Sequence, residues 1–275
     1  MNCAFLKAAR VPLAAVFAFT ALPALAADLY GSGFGSKDGN VYDMPPVWSG
    51  FYLGLNGGYA WEATASALSA TATANGGAPG TASGNYWTDG GFGGVQFGYN
   101  LQRDRLVFGI ETDIQAAGIG GKTALGAAAS TDQSVDTGAV AKSSLDWFGT
   151  LRGRAGYAFG STLVYATAGL AYGGGKDSLT QSSHNALNSV GATASKDFTA
   201  AGYTVGAGVE TAISPSWSVK AEYQYIDLGT SSLSTSRDIP NSTDTGGASA
   251  SFDHSYHTMR VGVNYKFNQT YEPLK

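Results

Sequence analysis

The stretch WSGFYLGLNGGYAW, residues 48–61, alternates large and small side chains from Phe51 onward. One parity carries Phe51, Leu53, Leu55, Tyr59 and Trp61. The other parity carries Tyr52 and otherwise only Gly, Asn and Ala. Because successive side chains of a β-strand point to opposite faces, this period of two predicts a strand. One face of that strand is aromatic and the other is nearly bare.

Composition favours an all-β fold for the whole chain. It has 275 residues, of which 39 are Gly, with 13% charged and 12% aromatic residues. Each Gly inside a helix costs about 1 kcal/mol relative to Ala, so this density opposes long helices. Beyond the N-terminus, no stretch supplies the ~20 consecutive apolar residues of a membrane-spanning helix. We therefore expect one folded all-β domain.

The N-terminus is predicted to be a secretory signal peptide covering residues 1–26. Lys7 and Arg10 precede the apolar run VPLAAVFAFTALP, and Ala24-Leu25-Ala26 has the small residues of a cleavage site. We expect cleavage near Ala26. The only cysteine, Cys3, lies in this segment, so the mature chain is predicted to have no disulfide.

The net charge argues against nucleic acid as a partner of the exported chain. Of 16 basic and 20 acidic residues, Lys7 and Arg10 leave with the signal peptide, so 14 basic residues remain and the net charge is −6. Nucleic-acid binding typically needs a basic surface. Residues 27–47 are rich in Gly and Ser and end near Pro45-Pro46, which predicts a flexible segment before a domain at 48–267.

The same alternation recurs seven more times, which predicts eight strands of roughly 10–13 residues, a length that suits a tilted membrane strand. The predicted connections alternate between long and short. The short ones are 102–105, 160–161 and 214–216. The long ones are roughly 63–90, 116–142, 174–198 and 229–253.

Transmembrane barrels have short periplasmic turns and long extracellular loops. The sequence therefore predicts an eight-stranded antiparallel up-and-down transmembrane β-barrel. For residues 162–174, the alternation leaves open which face points to lipid.

In this fold the aromatic face contacts lipid and the polar face lines the interior. The predicted interior charges are Glu111, Asp113, Arg152, Arg154, Glu210, Lys220, Glu222 and Arg260. An eight-stranded barrel is just wide enough for side chains to fill, and an isolated desolvated ion is costly. We therefore expect the four acids and four bases to pair and to plug the barrel. The predicted interfacial girdle comprises Trp61, Tyr99, Trp147, Tyr157, Trp217 and Tyr265.

Several stretches resemble one known family. WSGFYLGLNGGYAW, DWFGTLRGRAGYAF, LVYATAGLAYGG, GYTVGAGVETAI, SVKAEYQYIDLG and HTMRVGVNYKF, in this order, are similar to the small outer-membrane β-barrel family of alphaproteobacterial surface antigens, the outer-membrane immunogenic proteins. The resemblance covers nearly all of residues 48–267. It implies insertion in the outer membrane, a barrel like the OmpA transmembrane domain, and variable surface loops. Some members of the wider family bind haem and some are called porins, but no motif here carries either role.

The resemblance also implies partners and a terminal signal. We expect contact with outer-membrane lipid, both lipopolysaccharide and phospholipid, and with the barrel assembly machinery. Whether the protein forms a homo-oligomer is left open by the sequence. Barrels of this kind end on an aromatic residue, which would be Phe267. The tail NQTYEPLK at 268–275 departs from this pattern, so its effect on assembly is open.

The remaining polar residues give only weak indications of a metal, haem or catalytic site. His184, His254 and His257 lie in or beside predicted long loops, without metal-ligand spacing, and a haem or metal role for 253–257 stays open. Ser255, His257 and Asp253 are sequence neighbours not placed to relay a proton. We predict no enzyme activity, cofactor or metal. The predicted role is membrane integrity and surface presentation; the alternatives are a narrow low-conductance porin and a loop receptor for haem or for a host or phage surface.

Overall fold

The computed structural model describes residues 48–75, 77–130 and 134–267. The predicted signal peptide at 1–26, the segment 27–47 and the tail 268–275 lie outside these residues. Within them, no helix is long and apolar enough to cross a lipid bilayer.

Ten antiparallel strands make up the described part of the chain. They are β1 (Gly50–Glu62), β2 (Ser66–Thr73), β3 (Gly80–Tyr86), β4 (Asp89–Arg103), β5 (Leu106–Ala129), β6 (Val135–Phe159), β7 (Thr162–Asn185), β8 (Ser189–Ala212), β9 (Trp217–Asp238) and β10 (Thr245–Lys266). The pairing runs from β1 through β4 to β10 in chain order, and β1 also pairs with β10. These eight strands therefore form a continuous ring, and β2 and β3 are additional.

The three predicted tight turns are all present at one end of the ring, called here the turn end. They lie between Arg103 and Leu106, between Phe159 and Thr162, and between Ala212 and Trp217. Asp104 has φ 55° and Gly160 has φ 59°. Both therefore occupy the left-handed region, which Gly and Asp tolerate better than most residues.

The expected strand length is wrong for six of the eight ring strands. Strands β5 to β10 have 22 to 25 residues each and continue far beyond the ring at the end opposite the turns. The stretches predicted as long loops are thus mostly strand, and the first of them contains the β2–β3 hairpin. Small residues occupy both faces of these extensions, so their apolar alternation is weak in the sequence.

Beyond the ring the long strands separate into two sheets. Pairing of β8 with β9 ends at Tyr203 and Asp227, and pairing of β4 with β5 ends at Asp89 and Gly120. Strands β5 to β8 continue as one sheet, while β9, β10, β2 and β3 form the other. The inner faces share an apolar core that includes Leu68, Ala70, Val135, Leu179 and Phe252. We call this two-sheet part the extension.

The ring turns its apolar residues outward, as the sequence predicts. Exposed residues include Phe51, Leu55, Phe97, Phe108, Ile110, Leu151, Val205 and Val261. For residues 162–174, Val164 and Leu170 point outward, whereas Leu163 and Tyr165 are buried inside. The ring therefore has a surface suited to lipid, and the extension has the opposite arrangement, with apolar residues inside.

Candidate functional site

The ring interior holds all eight charged residues that the sequence placed there. Each is at most 3% exposed. They come from β5, β6, β8, β9 and β10 and lie on the inward parity of those strands. All eight make ion pairs, in the two groups described below, and we call the whole set the charge network.

Arg152 is the centre of the larger group. Its Nη2 donates to Glu111 and, at 3.1 Å, to Asp113 Oδ2. Its Nη1 donates to Glu222 and, at 3.2 Å, to Thr167 Oγ1. One guanidinium therefore bridges three carboxylates on two strands. A planar guanidinium suits this task because it offers several donors in fixed directions.

Two further cations complete the larger group. Lys220 Nζ donates to both oxygens of Glu111 at 2.9 Å. Arg260 donates to Asp113 Oδ2 at 3.0 Å and to Glu222 Oε1 at 2.7 Å. Three acids thus face three bases, so the group is neutral when all are ionised.

The smaller group lies nearer the turn end and pairs Arg154 with Glu210. The Arg154 guanidinium lies 3.6 Å from the centre of the Tyr165 ring. Glu210 also accepts hydrogen bonds from Ser218 and, at 2.9 Å, from Asn264 Nδ2. Four acids and four bases are therefore matched over both groups.

Neutral polar side chains that we did not single out from the sequence support the network. The Tyr52 hydroxyl donates to Glu111 Oε2 at 2.6 Å, and the Tyr165 hydroxyl donates to Glu222 Oε2 at 2.7 Å. Gln96 Nε2 donates to Asn264 Oδ1 at 2.5 Å. Tyr52 was visible as the one large residue on the bare face of β1, which is the signal that could have revealed its inward role.

Glycines on the inward face make room for these long side chains. A Cβ on Gly98 would lie 2.3 Å from the Tyr52 hydroxyl oxygen, and a Cβ on Gly54 would lie 2.1 Å from Asn264 Oδ1. Both distances are far below van der Waals contact. The nearly bare face of β1 and β4 is therefore needed by the polar side chains opposite it.

We expect Gly98→Ala to destabilise the barrel by about 1–3 kcal/mol, the usual cost of overpacking. The added methyl displaces Tyr52 and weakens its hydrogen bond to Glu111. The measurement is the urea midpoint of unfolding in lipid vesicles. Gly93→Ala on the same strand is the matched control, because a Cβ there would meet its nearest atom at 3.6 Å. Equal midpoints for the two variants would contradict the close approach at Gly98.

Apolar groups close the interior on both sides of the charge network. At the turn end, Trp48 is 1% exposed and packs with Val107, Leu163 and Tyr165, and Lys266 Nζ lies 4.0 Å from the centre of its ring. On the extension side lies a second cluster, comprising Ala60, Phe92, Ile119, Leu145, Phe148, Ala171, Ile226, Leu228 and Tyr256. Phe92 and Phe148 meet edge to face at 5.1 Å. Side chains thus fill the ring from one end to the other.

The six aromatic residues predicted as a girdle lie near the two rims of the apolar band. Tyr99, Tyr157, Trp217 and Tyr265 are near the turn end, whereas Trp61 and Trp147 are near the extension. Phe267 contacts Tyr265, and its backbone N–H donates to the Phe51 carbonyl at 2.9 Å. Phe267 therefore continues the pairing of the last strand with the first.

The three histidines lie in different environments. His254 is buried, stacks on Phe198 and lies 3.2 Å from Asp177 Oδ2. His257 points outward beside Trp61, and its Nδ1 is 2.6 Å from the Tyr223 hydroxyl. His184, with Asp136, lies far along the extension. No observation on the described residues therefore favours a shared haem or metal site.

The geometry of the described residues also does not support a catalytic site or a metal site. Ser255 donates to Asp253, while His257 is occupied by Tyr223 on the outer face. Among the described residues, no group of three or more His, Cys, Asp or Glu is arranged to hold a metal ion. Glu111 and Asp113 are paired with buried cations rather than facing a cleft.

Comparisons with known proteins agree with this architecture. The family model described as the outer membrane protein beta-barrel domain matches residues 13–267. The chain is 37% identical to the 31 kDa outer-membrane immunogenic protein of Brucella melitensis, over 94% of this chain and 99% of that protein. It is 32% identical to the 22 kDa outer membrane protein of Rhizobium leguminosarum bv. viciae, over 80% and 78% of the two chains.

Similarity to solved structures is weaker. The outer membrane protein OprG of Pseudomonas aeruginosa aligns with 79% of this chain and 97% of its own, at 12% identity and a TM-score of 0.36. At this level the comparison adds nothing to the assignment, which rests on the family model and the relatives. The chain belongs to the outer membrane protein β-barrel domain family and is a protein of the bacterial outer membrane.

Proposed function

We propose that the protein is a non-conducting barrel that contributes to outer-membrane integrity and presents the extension as a surface antigen, without a catalytic role. The single observation that carries the proposal is the filled interior. Trp48, the charge network and the cluster around Phe148 occupy successive levels of the ring. A packed interior of this kind leaves the extension as the part of the molecule that other cells and molecules can contact.

The relatives support the surface role by analogy. The Brucella proteins at 37% and 27% identity are named as immunogenic outer-membrane proteins. In barrels of this type the short turns face the periplasm and the long connections face outward. The extension is therefore the outward-facing part, and its packed two-sheet core would hold any epitope in a fixed shape.

The conductance of single molecules in planar bilayers tests the proposal. We expect no steady current steps from the refolded mature protein, because no continuous path of water crosses a packed interior. Heat-modifiable migration on gels should show, in the same preparation, that the barrel has folded and inserted. A stable, reproducible conductance would overturn the proposal and favour a narrow pore for small solutes.

A further inference from the structure

Strand β8 has one edge without a partner strand over much of the extension. Its pairing with β7 runs from Ser189 to Thr211, whereas its pairing with β9 begins only at Tyr203. Within residues 48–75, 77–130 and 134–267, no other strand pairs with the part of β8 before Tyr203. An unpaired edge of this kind is a template for another extended chain.

The hydrogen bonds at the turn end show which backbone groups point to this open edge. The Ala212 N–H donates to the Ser161 carbonyl on the β7 side, and the Ile213 N–H donates to the Trp217 carbonyl on the β9 side, both at 2.9 Å. Backbone groups of successive residues point to alternate sides of a strand, and both pairings of β8 keep one register throughout. Odd-numbered residues at 191–199 therefore point their N–H and C=O groups to the open edge.

A groove lies beside this edge because β9 covers β7 and leaves β8 partly uncovered. Ser231 of β9 donates to Asp177 of β7 at 2.5 Å, and Thr235 of β9 donates to Gln181 of β7 at 2.8 Å. None of residues 189–200 is fully buried. The inner face of this part of β8 is therefore open to solvent along one side.

The middle of the groove is lined by small and apolar side chains. Even-numbered residues of β8 face the other sheet, as the contact of Phe198 with the β10 residue His254 shows. The half-buried residues on this face are Val190, Ala192 and Ala194, and Leu233 of β9 is half-buried opposite them. An extended chain in the groove would cover these four side chains.

One cation lies at each end of the groove. Lys196 pairs with Asp177, and Val190 pairs with Ser183. Arg237 pairs with Gly246, where a Cβ would lie 1.9 Å from Ser183 Oγ. Arg237 is therefore level with Val190, six residues from Lys196 or about 20 Å along the strand.

Both cations are available to a ligand. They are exposed, and neither makes an ion pair with a residue in the described part of the chain. Asp177 lies opposite Lys196, but its carboxylate accepts hydrogen bonds from Ser143 and Ser231 and lies 3.2 Å from His254 Nε2. The groove thus combines free backbone groups, apolar side chains and two unpaired positive charges.

We propose that this groove binds an extended acidic peptide of a partner protein, which adds a strand to β8. Backbone hydrogen bonds to the odd-numbered residues hold the peptide, and two acidic side chains six positions apart meet Lys196 and Arg237. A second copy of this chain fits less well. When two identical edges pair antiparallel, directly opposite residues have the same parity, so Lys196 cannot lie opposite Asp197 of the second copy.

The test measures binding of labelled peptides to the intact mature barrel in detergent micelles by fluorescence anisotropy. The probe is a peptide of about eleven residues in which Thr and Val alternate, long enough at about 3.4 Å per residue to cover the groove. Glu replaces two Val six positions apart, and the control peptide has Gln at both positions. The wild-type protein should bind the Glu peptide more tightly than the Gln peptide.

Lys196→Gln/Arg237→Gln should weaken binding of the Glu peptide roughly 5- to 30-fold, the range expected for two exposed charge pairs. This variant should then bind the two peptides alike. Lys122→Gln/Lys142→Gln is the matched control, because it removes two exposed cations of the same sheet outside the groove. Binding by the control variant should equal that of the wild type.

Ser195→Pro tests the backbone edge separately. It removes one N–H that points to the open edge, and proline is tolerated on edge strands. It should weaken binding roughly tenfold, whereas Ser195→Ala, which keeps the N–H, should bind like the wild type. Heat-modifiable migration checks that every variant has folded.

Equal wild-type affinity for the two peptides, or equal affinities of Ser195→Pro and Ser195→Ala, would overturn the proposal. Unchanged peptide binding by Lys196→Gln/Arg237→Gln, together with self-association of that variant, would also overturn it. The two cations would then only protect the edge from pairing with other copies. Self-association of the wild type without peptide binding would instead make a second copy the occupant. None of these results affects the conductance test.

Discussion

Replacing Arg152 by Leu should destabilise the barrel by about 3–5 kcal/mol, the usual cost of removing one partner from a buried ion pair. The substitution leaves Glu111, Asp113 and Glu222 with only Lys220 and Arg260 as partners. One negative charge is then unmatched in an interior with no room for bulk water. The measurements are the urea midpoint in lipid vesicles and the temperature at which the folded band disappears on gels.

A second substitution should restore much of this stability. In Arg152→Leu/Glu222→Gln, Lys220 keeps Glu111 and Arg260 keeps Asp113, so the remaining four charges form two pairs. The double variant should therefore be more stable than the single variant, which is the non-additivity expected for a coupled network. Arg103→Leu, at the exposed last residue of β4, is the control for loss of an arginine alone. If the single variant matched the wild type, the network would not hold the interior together.

Phe252→Ala should have a similar cost in the extension while leaving the ring folded. Phe252 is 0% exposed between the two sheets and meets Tyr86 at 6.4 Å. Loss of a buried Phe costs about 3–5 kcal/mol through lost burial and the cavity that remains. Among the ring strands, β2 pairs with β10, which carries Phe252. The β2–β3 hairpin should therefore depend most on this core.

Limited proteolysis of protein inserted in vesicles measures this effect. The wild-type extension should resist proteinase K, and Phe252→Ala should be cut within residues 63–88 while a protected ring fragment persists. Leu187→Ala is the matched control, because Leu187 is 86% exposed at the far tip. Identical cleavage patterns for the wild type and Phe252→Ala would show that the core between the sheets does not hold the hairpin.

The ring could be predicted from the sequence because its two faces differ strongly. Phe51, Leu53 and Leu55 alternate with small residues, and Glu111 and Asp113 share one parity. Side chains that face lipid are apolar, and side chains that face the interior are charged or small. This difference appears in the sequence as an alternation with a period of two. Which cation pairs with which acid could not be predicted, since Arg152 and Glu222 are 70 positions apart and meet only across the closed ring.

The extension was missed for the opposite reason. In segments such as 189–200, both faces carry Ser, Thr, Ala and Gly, so the apolar alternation fades. Such segments resemble loops in composition, although backbone pairing holds them as strand. Small side chains are adequate there because this part of β8 lies at the edge of its sheet and none of residues 189–200 is fully buried. Tyr86 and Phe252 are among the larger apolar residues in these stretches and could have indicated a second core.

The two-sheet core of the extension limits how this surface can evolve. Every second residue of these strands points outward, as Ser249 and Ser234 do, and substitutions there would be tolerated. Substitutions would be restricted at the buried positions that alternate with them, such as Ala248 and Ala250 on either side of Ser249. Selection by a host or phage would then produce sequences in which variable and constant positions alternate along each strand. Antibodies would bind patches assembled across neighbouring strands, so a short synthetic peptide from one strand would reproduce little of the native epitope.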